Sequence, residues 1–237
     1  MSMRGVRLLV ASIVAVALAA PLIGNVGLMQ AQASKAQVFR RVESTGPRVA
    51  LTFDDCDHQQ AWTRLLNILH NHHVKASFIC PGREVVRFPG LAKRTVNQGN
   101  AIGSHGWDHR NPKHLSYREI RNRLVKDKTV WRKTTGASPA PYYRPPFGAY
   151  NAKTLRAASD TGFTRVILWD VDSYDWKRPG PSQIARRVLS GVRAGSIVEM
   201  NVLGQTATAL PRILRGLHRK GLRPVTLPAL FKSGGGG

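Results

Sequence analysis

Acidic side chains are scarce in this sequence: 13 Asp and Glu stand against 36 Lys and Arg, leaving a formal charge of +23. That imbalance favours adhesion to polyanions such as acidic wall polymers or an anionic lipid surface, although an arginine-rich genome would produce the same excess. A nucleic-acid recognition motif is missing, and the basic residues are scattered rather than interleaved with aromatics, so no specific nucleic-acid partner is expected. Cysteine is nearly absent. The two that occur, Cys56 and Cys80, fall at the ends of predicted strands, and form either a disulfide between neighbouring parallel strands or two buried thiols. No repeat recurs at a fixed period, which removes repeat arrays from consideration.

A membrane-length apolar run is lacking too. Arg4 and Arg7 precede an apolar stretch at 8–20, which Pro21 and Gly24 break short of the ~20 residues that a span needs. With Ala31-Gln32-Ala33 as a cleavage site, residues 1–33 read as a secretory signal peptide, the alternative being an uncleaved anchor. Either reading makes the protein secreted or cell-envelope associated, where a disulfide is chemically permitted. The remaining length suits one sizeable domain, expected as a monomer. The expected boundaries are a linker at 34–46, a folded domain at 47–230 and a flexible tail at 231–237, rich in glycine.

What is present is an alternation. Short β-rich runs at 49–53, 74–80, 101–105, 142–144, 165–171, 196–202 and 224–227 are separated by helical patterns at 59–72, 84–98, 116–134, 151–161, 181–192 and 209–220. Gly99, Gly136, Gly162 and Gly221 stand where helices end. Pro211 fits the last helix if its first turn begins near Ala209. This order predicts a parallel sheet with right-handed crossovers, closed into a barrel or doubly wound. Functional residues in both architectures gather at the carboxyl ends of strands.

Those ends carry chemistry. The first strand closes in Asp54-Asp55, two adjacent carboxylates that point to different sides, so one can hold a metal while the other handles protons. The third leads into His105 and His109, spaced i and i+4 in a glycine-containing loop. With one carboxylate these histidines make a metal site that keeps open positions for water. His70, His72 and His73, by contrast, read as a solvated helix end. Arg144, followed by two stiffening prolines, is a fixed charge able to orient a carboxylate. Carboxylates and aromatics mix at 169–176.

Taken in this order, the segments resemble the polysaccharide deacetylases with the NodB homology domain, carbohydrate esterase family four. Thr52-Phe53-Asp54-Asp55, the H-x-x-x-H of 105–109, Arg144-Pro145-Pro146-Phe147-Gly148 and the D-x-x-D-W of 172–176 match the first four family motifs, over residues 47–227. The resemblance implies an irregular (β/α)7 barrel, α/β and TIM-barrel-like, in a single domain. It implies a metal-dependent hydrolase removing acetyl groups from N-acetylated polysaccharide. Asp55, His105 and His109 would bind zinc, or another divalent ion such as cobalt. Asp54 would be the general base, oriented by Arg144, and the backbone N–H of Phe147 would help hold the oxyanion. Trp176 would wall the acetyl pocket, and Asp172, with Asp175, would pair with charged partners behind the reacting groups. Gly106 and Cys56 depart from the family's usual Ser or Thr and Gly; the latter fits the disulfide with Cys80.

The fifth family motif, Leu-x-His, aligns with Glu199-Met200-Asn201. In the family the leucine lines the acetyl pocket and the histidine donates a proton to the leaving amine. Asn201 faces the substrate in that place but cannot titrate, and losing general acid catalysis costs roughly 10²–10⁴-fold. Three outcomes are open: an impaired enzyme with base and metal site intact, Glu199 as a replacement acid in an apolar pocket, or an inactive carbohydrate-binding pseudoenzyme. A basic wall-adhesion module is the reading outside carbohydrate chemistry, and the separate Asp54 argues against it. Peptidoglycan sugars, chitin oligomers and O-acetylated xylan all fit as substrates.

Overall fold

The protein, described here by a computed structural model over residues 35–43 and 46–232, is built on one strand. That strand, β2 (Arg48–Asp54), is buried from Val49 to Asp54 and has neighbours on both sides. Before it lies β1 (Gln37–Phe39). After it come α1 (Gln59–Asn71), β3 (Ser77–Cys80), α2 (Gly82–Arg87), α3 (Pro89–Asn97), β4 (Ala101–Ser104), α4 (Tyr117–Thr135), β5 (Tyr142–Tyr143) and α5 (Ala152–Asp160). The chain continues through β6 (Arg165–Ile167), β7 (Val171–Asp172), α6 (Pro181–Gly191), β8 (Ile197–Asn201), α7 (Gly204–Arg219), β9 (Arg223–Val225) and α8 (Leu227–Phe231). The strand order is β1-β6-β5-β4-β3-β2-β8-β7, and β9 pairs with the first residues of β2. Every pairing between these strands is parallel, so the crossovers are helical and the sheet curls into a half-barrel, the expected α/β barrel left open between β1 and β7. The described residues form one compact unit. The signal peptide expected at 1–33 lies outside them.

Local sequence explains the helices. In α1, Ala61, Trp62, Leu65, Leu66 and Leu69 recur at helical spacing and are buried, while His70, His72 and His73 are exposed at its end. Ser116 and Glu119 form a reciprocal capping box at the start of α4, and Gly136 closes it at φ 76°, a conformation that favours glycine.

Several expectations need correction. The segment 34–46, expected as a linker, contains β1, which adds to the sheet beside β6. Phe231, assigned to the tail, ends α8 and packs edge-on against Phe39 with centroids 4.9 Å apart. The helix expected at 84–98 is two, because Phe88 before Pro89 leaves helical geometry (φ −128°, ψ 59°). The strand expected at 165–171 breaks into β6 and β7, since the carbonyls of Ile167 and Leu168 accept from Arg144 instead. Pro211 lies well inside α7, which starts at Gly204 rather than Ala209; the helix survives the lost backbone bond because its Leu210, Ile213, Leu214 and Leu217 are buried in the core. No described helix is long and apolar enough to cross a membrane.

Two features anchor the rim of the sheet. Cys56 and Cys80 form a disulfide with Cα atoms 5.3 Å apart and a separation of 24 residues. Behind the histidine loop, Gly82 lies so close to both the fully buried Asp127 of α4 and Trp107 that a Cβ there would come within 2.8 Å of either side chain. Burial raises the Asp127 carboxyl well above its ordinary value, a shift opposed by the Ser104 hydroxyl.

Removing the disulfide by Cys56→Ser with Cys80→Ser should lower the unfolding free energy by about 3 kcal/mol, read as a shifted urea midpoint; an unmoved midpoint contradicts it. For Asp127 the folded chain retains a proton that the unfolded chain releases. Its contribution is therefore fully present below about pH 4 and declines as pH rises. The melting temperature of Asp127→Asn should gain on that of the wild type as pH rises from 4 to 8, and parallel curves would contradict the linkage.

Candidate active site

The parallel strands end at one rim, and the polar residues expected from the sequence meet there. A cleft of about 400 Å³ is lined by Asp54, Asp55, His105, His109, Phe147, Gly148, Trp169, Asp172, Trp176, Glu199 and Asn201. A larger groove lies beside it, between the starts of α1 and α7, and contains none of these residues.

Asp54 ends β2 facing inward. Its Oδ1 accepts a 2.6 Å bond from Arg144 Nη1, which also donates to Thr52 Oγ1 at 2.8 Å. The Arg144 Nε and Nη2 donate to the carbonyls of Ile167 and Leu168 at 3.1 and 3.2 Å, leaving the guanidinium wholly buried. Burial raises the Asp54 carboxyl to about 6, against the lowering influence of Arg144. Its Oδ2 is 3.9 Å from His105 Nε2.

Asp55 turns the other way, into left-handed backbone at φ 69°. Its Oδ1 lies 3.6 Å from His105 Nε2 and 3.3 Å from His109 Nε2, and it has no hydrogen-bond partner among the described residues. The three donor atoms sit within 4.8 Å of one another. His105 Nδ1 donates to the Arg144 carbonyl at 2.7 Å, which places the ring's lone pair on Nε2, facing Asp55. Burial lowers His105 to about 4, so it is a neutral imidazole at neutral pH; burial also raises Asp55, against the two histidines. An unpartnered carboxylate oxygen and two converging imidazoles form a set that fits a divalent cation with positions open to water.

On β8, Glu199 and Asn201 share the face that looks into the cleft. Asn201 Nδ2 donates to Asp175 Oδ1 at 2.6 Å and to Glu199 Oε1 at 3.0 Å. Asp175 Oδ2 accepts from the Asn201 backbone N–H at 2.7 Å and from Thr206 Oγ1 at 2.5 Å. Burial raises both Asp175 and Glu199, the latter well above the ordinary value, with Asp54 adding to the rise. Phe147 and Trp176 stand at the rim, 66% and 57% exposed, and the Phe147 ring packs edge-on against His109 at 4.6 Å.

One expectation about this site fails. Asp172 and Asp175 have no cationic partner among the described residues; Asp172 accepts from Trp169 Nε1 and the Tyr174 N–H at 3.3 and 2.7 Å. Peptide, amide and hydroxyl donors satisfy both carboxylates, so no counter-charge is required. Sequence reasoning also passed over residues with a part in the geometry. Thr52 shares the inward face of β2 with Asp54, a spacing of two that could have identified it. Asp170 bonds the Ile197 N–H at 2.9 Å and Ser196 Oγ at 3.0 Å, linking the broken strand to β8.

Residues 41–166 match the family model of polysaccharide deacetylases. The chain is 33% identical to a peptidoglycan-N-acetylglucosamine deacetylase of Bacillus cereus, over 78% of this chain and 68% of that protein. It is 36% identical to the peptidoglycan-N-acetylglucosamine deacetylase PgdA of Listeria monocytogenes, over 79% of this chain but only 39% of PgdA. Two solved structures superpose with a TM-score of 0.78. One is the peptidoglycan N-acetylglucosamine deacetylase Bc1960, at 32% identity over 82% of this chain and 92% of that one. The other is a CE4 family pseudoenzyme from Bacillus anthracis, at 30% identity over 83% and 69%. The chain belongs to the polysaccharide deacetylase family.

The donor set predicts one divalent ion per chain. Zinc titration followed by calorimetry should show a single tight site in the wild type and its loss in His105→Ala, while Asp54→Asn keeps it; retention of the site in His105→Ala would contradict the assignment.

Proposed function

We propose that this protein is a divalent-metal-dependent hydrolase that removes acetyl groups from N-acetylated polysaccharide of the peptidoglycan or chitin type, acting in the cell envelope or outside the cell. The observation that carries this reading is the division of labour between two adjacent carboxylates. Asp55 faces two imidazoles, while Asp54 is held apart by Arg144 with one oxygen free towards them. A purely structural metal site has no use for that second carboxylate.

A divalent cation held by Asp55, His105 and His109, zinc first and cobalt as an alternative, would polarise the acetamide carbonyl and acidify a water. Asp54 takes the proton of the attacking water through Oδ2, its Oδ1 being fixed by Arg144. The backbone N–H of Phe147 helps to hold the oxyanion. Trp176 walls the acetyl group, and the exposed ring of Phe147 borders the path of the sugar chain. The substrate class is supported by the peptidoglycan deacetylases among the relatives. Export is supported by the signal-like sequence at 1–33, and the +23 charge favours residence among acidic wall polymers.

A second reading is an inactive carbohydrate-binding pseudoenzyme, favoured by Asn201 at a strand end where a titrating group is expected. Acetate release from chitin oligomers and peptidoglycan, with added zinc or cobalt, separates the two. Activity in the wild type that falls roughly 10²–10⁴-fold in Asp54→Asn is the expected result. Binding of the same sugars with no acetate released from either would leave the pseudoenzyme.

A further inference from the structure

Amide hydrolysis needs an acid as well as a base, because the nitrogen leaves as an amine only after it gains a proton. The cleft offers few candidates. Asp54 is engaged as the base, Asp55, His105 and His109 as metal donors, and Asn201 does not titrate. Asp172 has one oxygen on the Trp169 indole and the other on the Tyr174 N–H. Glu199 remains. The residue is 5% exposed, its Oε1 is held by the Asn201 amide, and its Oε2 has no partner among the described residues. Asn201 is a clamp rather than a donor, since its two amide hydrogens are taken by Asp175 and Glu199.

The geometry points to Glu199 as the general acid of this site, a neutral carboxyl group that delivers its Oε2 proton to the departing nitrogen. This rests on the deacetylase reading above. The side chains facing Glu199 favour the protonated form: Asp54 on β2, Asp172 at the end of β7 and Asp175 beyond it are carboxylates, and the guanidinium that opposes them, Arg144, is bonded to Asp54. Burial is the larger influence in the same direction. In the reaction, a proton of water passes to Asp54 and the water oxygen bonds to the carbonyl carbon. The C–N bond then breaks as nitrogen takes the proton of Glu199. Acetic acid and a free amine result, and proton transfer from Asp54 to Glu199 through solvent resets both groups. The acid thus stands two residues earlier on β8 than Asn201, on the same face.

A pair of substrates tests this. A chitin tetramer loses an amine that must be protonated, whereas p-nitrophenyl acetate loses a phenolate that need not be. With the zinc-loaded protein, Glu199→Gln should lower kcat on the tetramer roughly 10²–10⁴-fold and lower ester turnover far less, with zinc content and melting temperature retained. The wild-type rate on the tetramer should fall at alkaline pH as Glu199 loses its proton, a limb missing from the ester profile. Equal losses on both substrates, or a tetramer rate in Glu199→Gln equal to that of the wild type, would overturn the acid role while leaving the deacetylase reading intact. Failure of the wild type to release acetate from the tetramer would overturn both.

Discussion

The buried guanidinium of Arg144 is the interaction on which the site depends. Its side chain bonds Asp54 and Thr52 on one wall of the half-barrel and, on the other, the carbonyls of Ile167 and Leu168 at the end of β6. Its own carbonyl accepts from His105. One residue therefore sets the direction of the Asp54 carboxylate through its side chain and the tautomer of His105 through its backbone. Desolvating such a charge is costly, and removing one partner of a buried pair typically costs about 3–5 kcal/mol. That cost is tolerable because every guanidinium nitrogen has an acceptor, and because the carbonyls used are those that β6 would otherwise direct along the sheet.

Strained backbone marks the same region. Asp55, Cys56, His109 and Phe147 all have positive φ, a region that non-glycine residues rarely occupy. Each lies in the loop that follows a strand, and the turns at Asp55, His109 and Phe147 bring these residues to the cleft, while Cys56 turns to its disulfide partner. Packing holds these turns: Phe147 rests on His109, and Gly82 fits closely against both Asp127 and Trp107. Strain at a functional rim, supported from behind by a close-packed core, is what pre-organised sites tend to show.

Much of this was legible in the sequence, for physical reasons. Hydrophobic periodicity and glycine stops are local signals, and they located the central strands and most helices. Motif order located the residues that line the cleft, because residues at the ends of parallel strands converge whatever lies between them. The misreadings are non-local. Nothing near 165–171 shows that a guanidinium from another strand will take its carbonyls, and nothing near 37–39 shows that a neighbouring edge is free to pair. Pro211 argues locally against a helix, and only the burial of four surrounding leucine and isoleucine side chains reverses that. The polar partners of Asp172 and Asp175 were mistaken because the family resemblance implies charged partners for them, whereas the folded loop supplies N–H and O–H groups instead.

The disulfide acquires a further meaning from its place in the chain. Cys56 directly follows Asp55, and Cys80 ends the strand beside β2. The crosslink therefore restrains the very turn that presents the carboxylate to the two imidazoles. A turn fixed by a covalent bond has already lost its chain freedom, so binding of an ion there need not order the loop as well. A carboxylate held in place in advance leaves more of the coordination energy to appear as affinity.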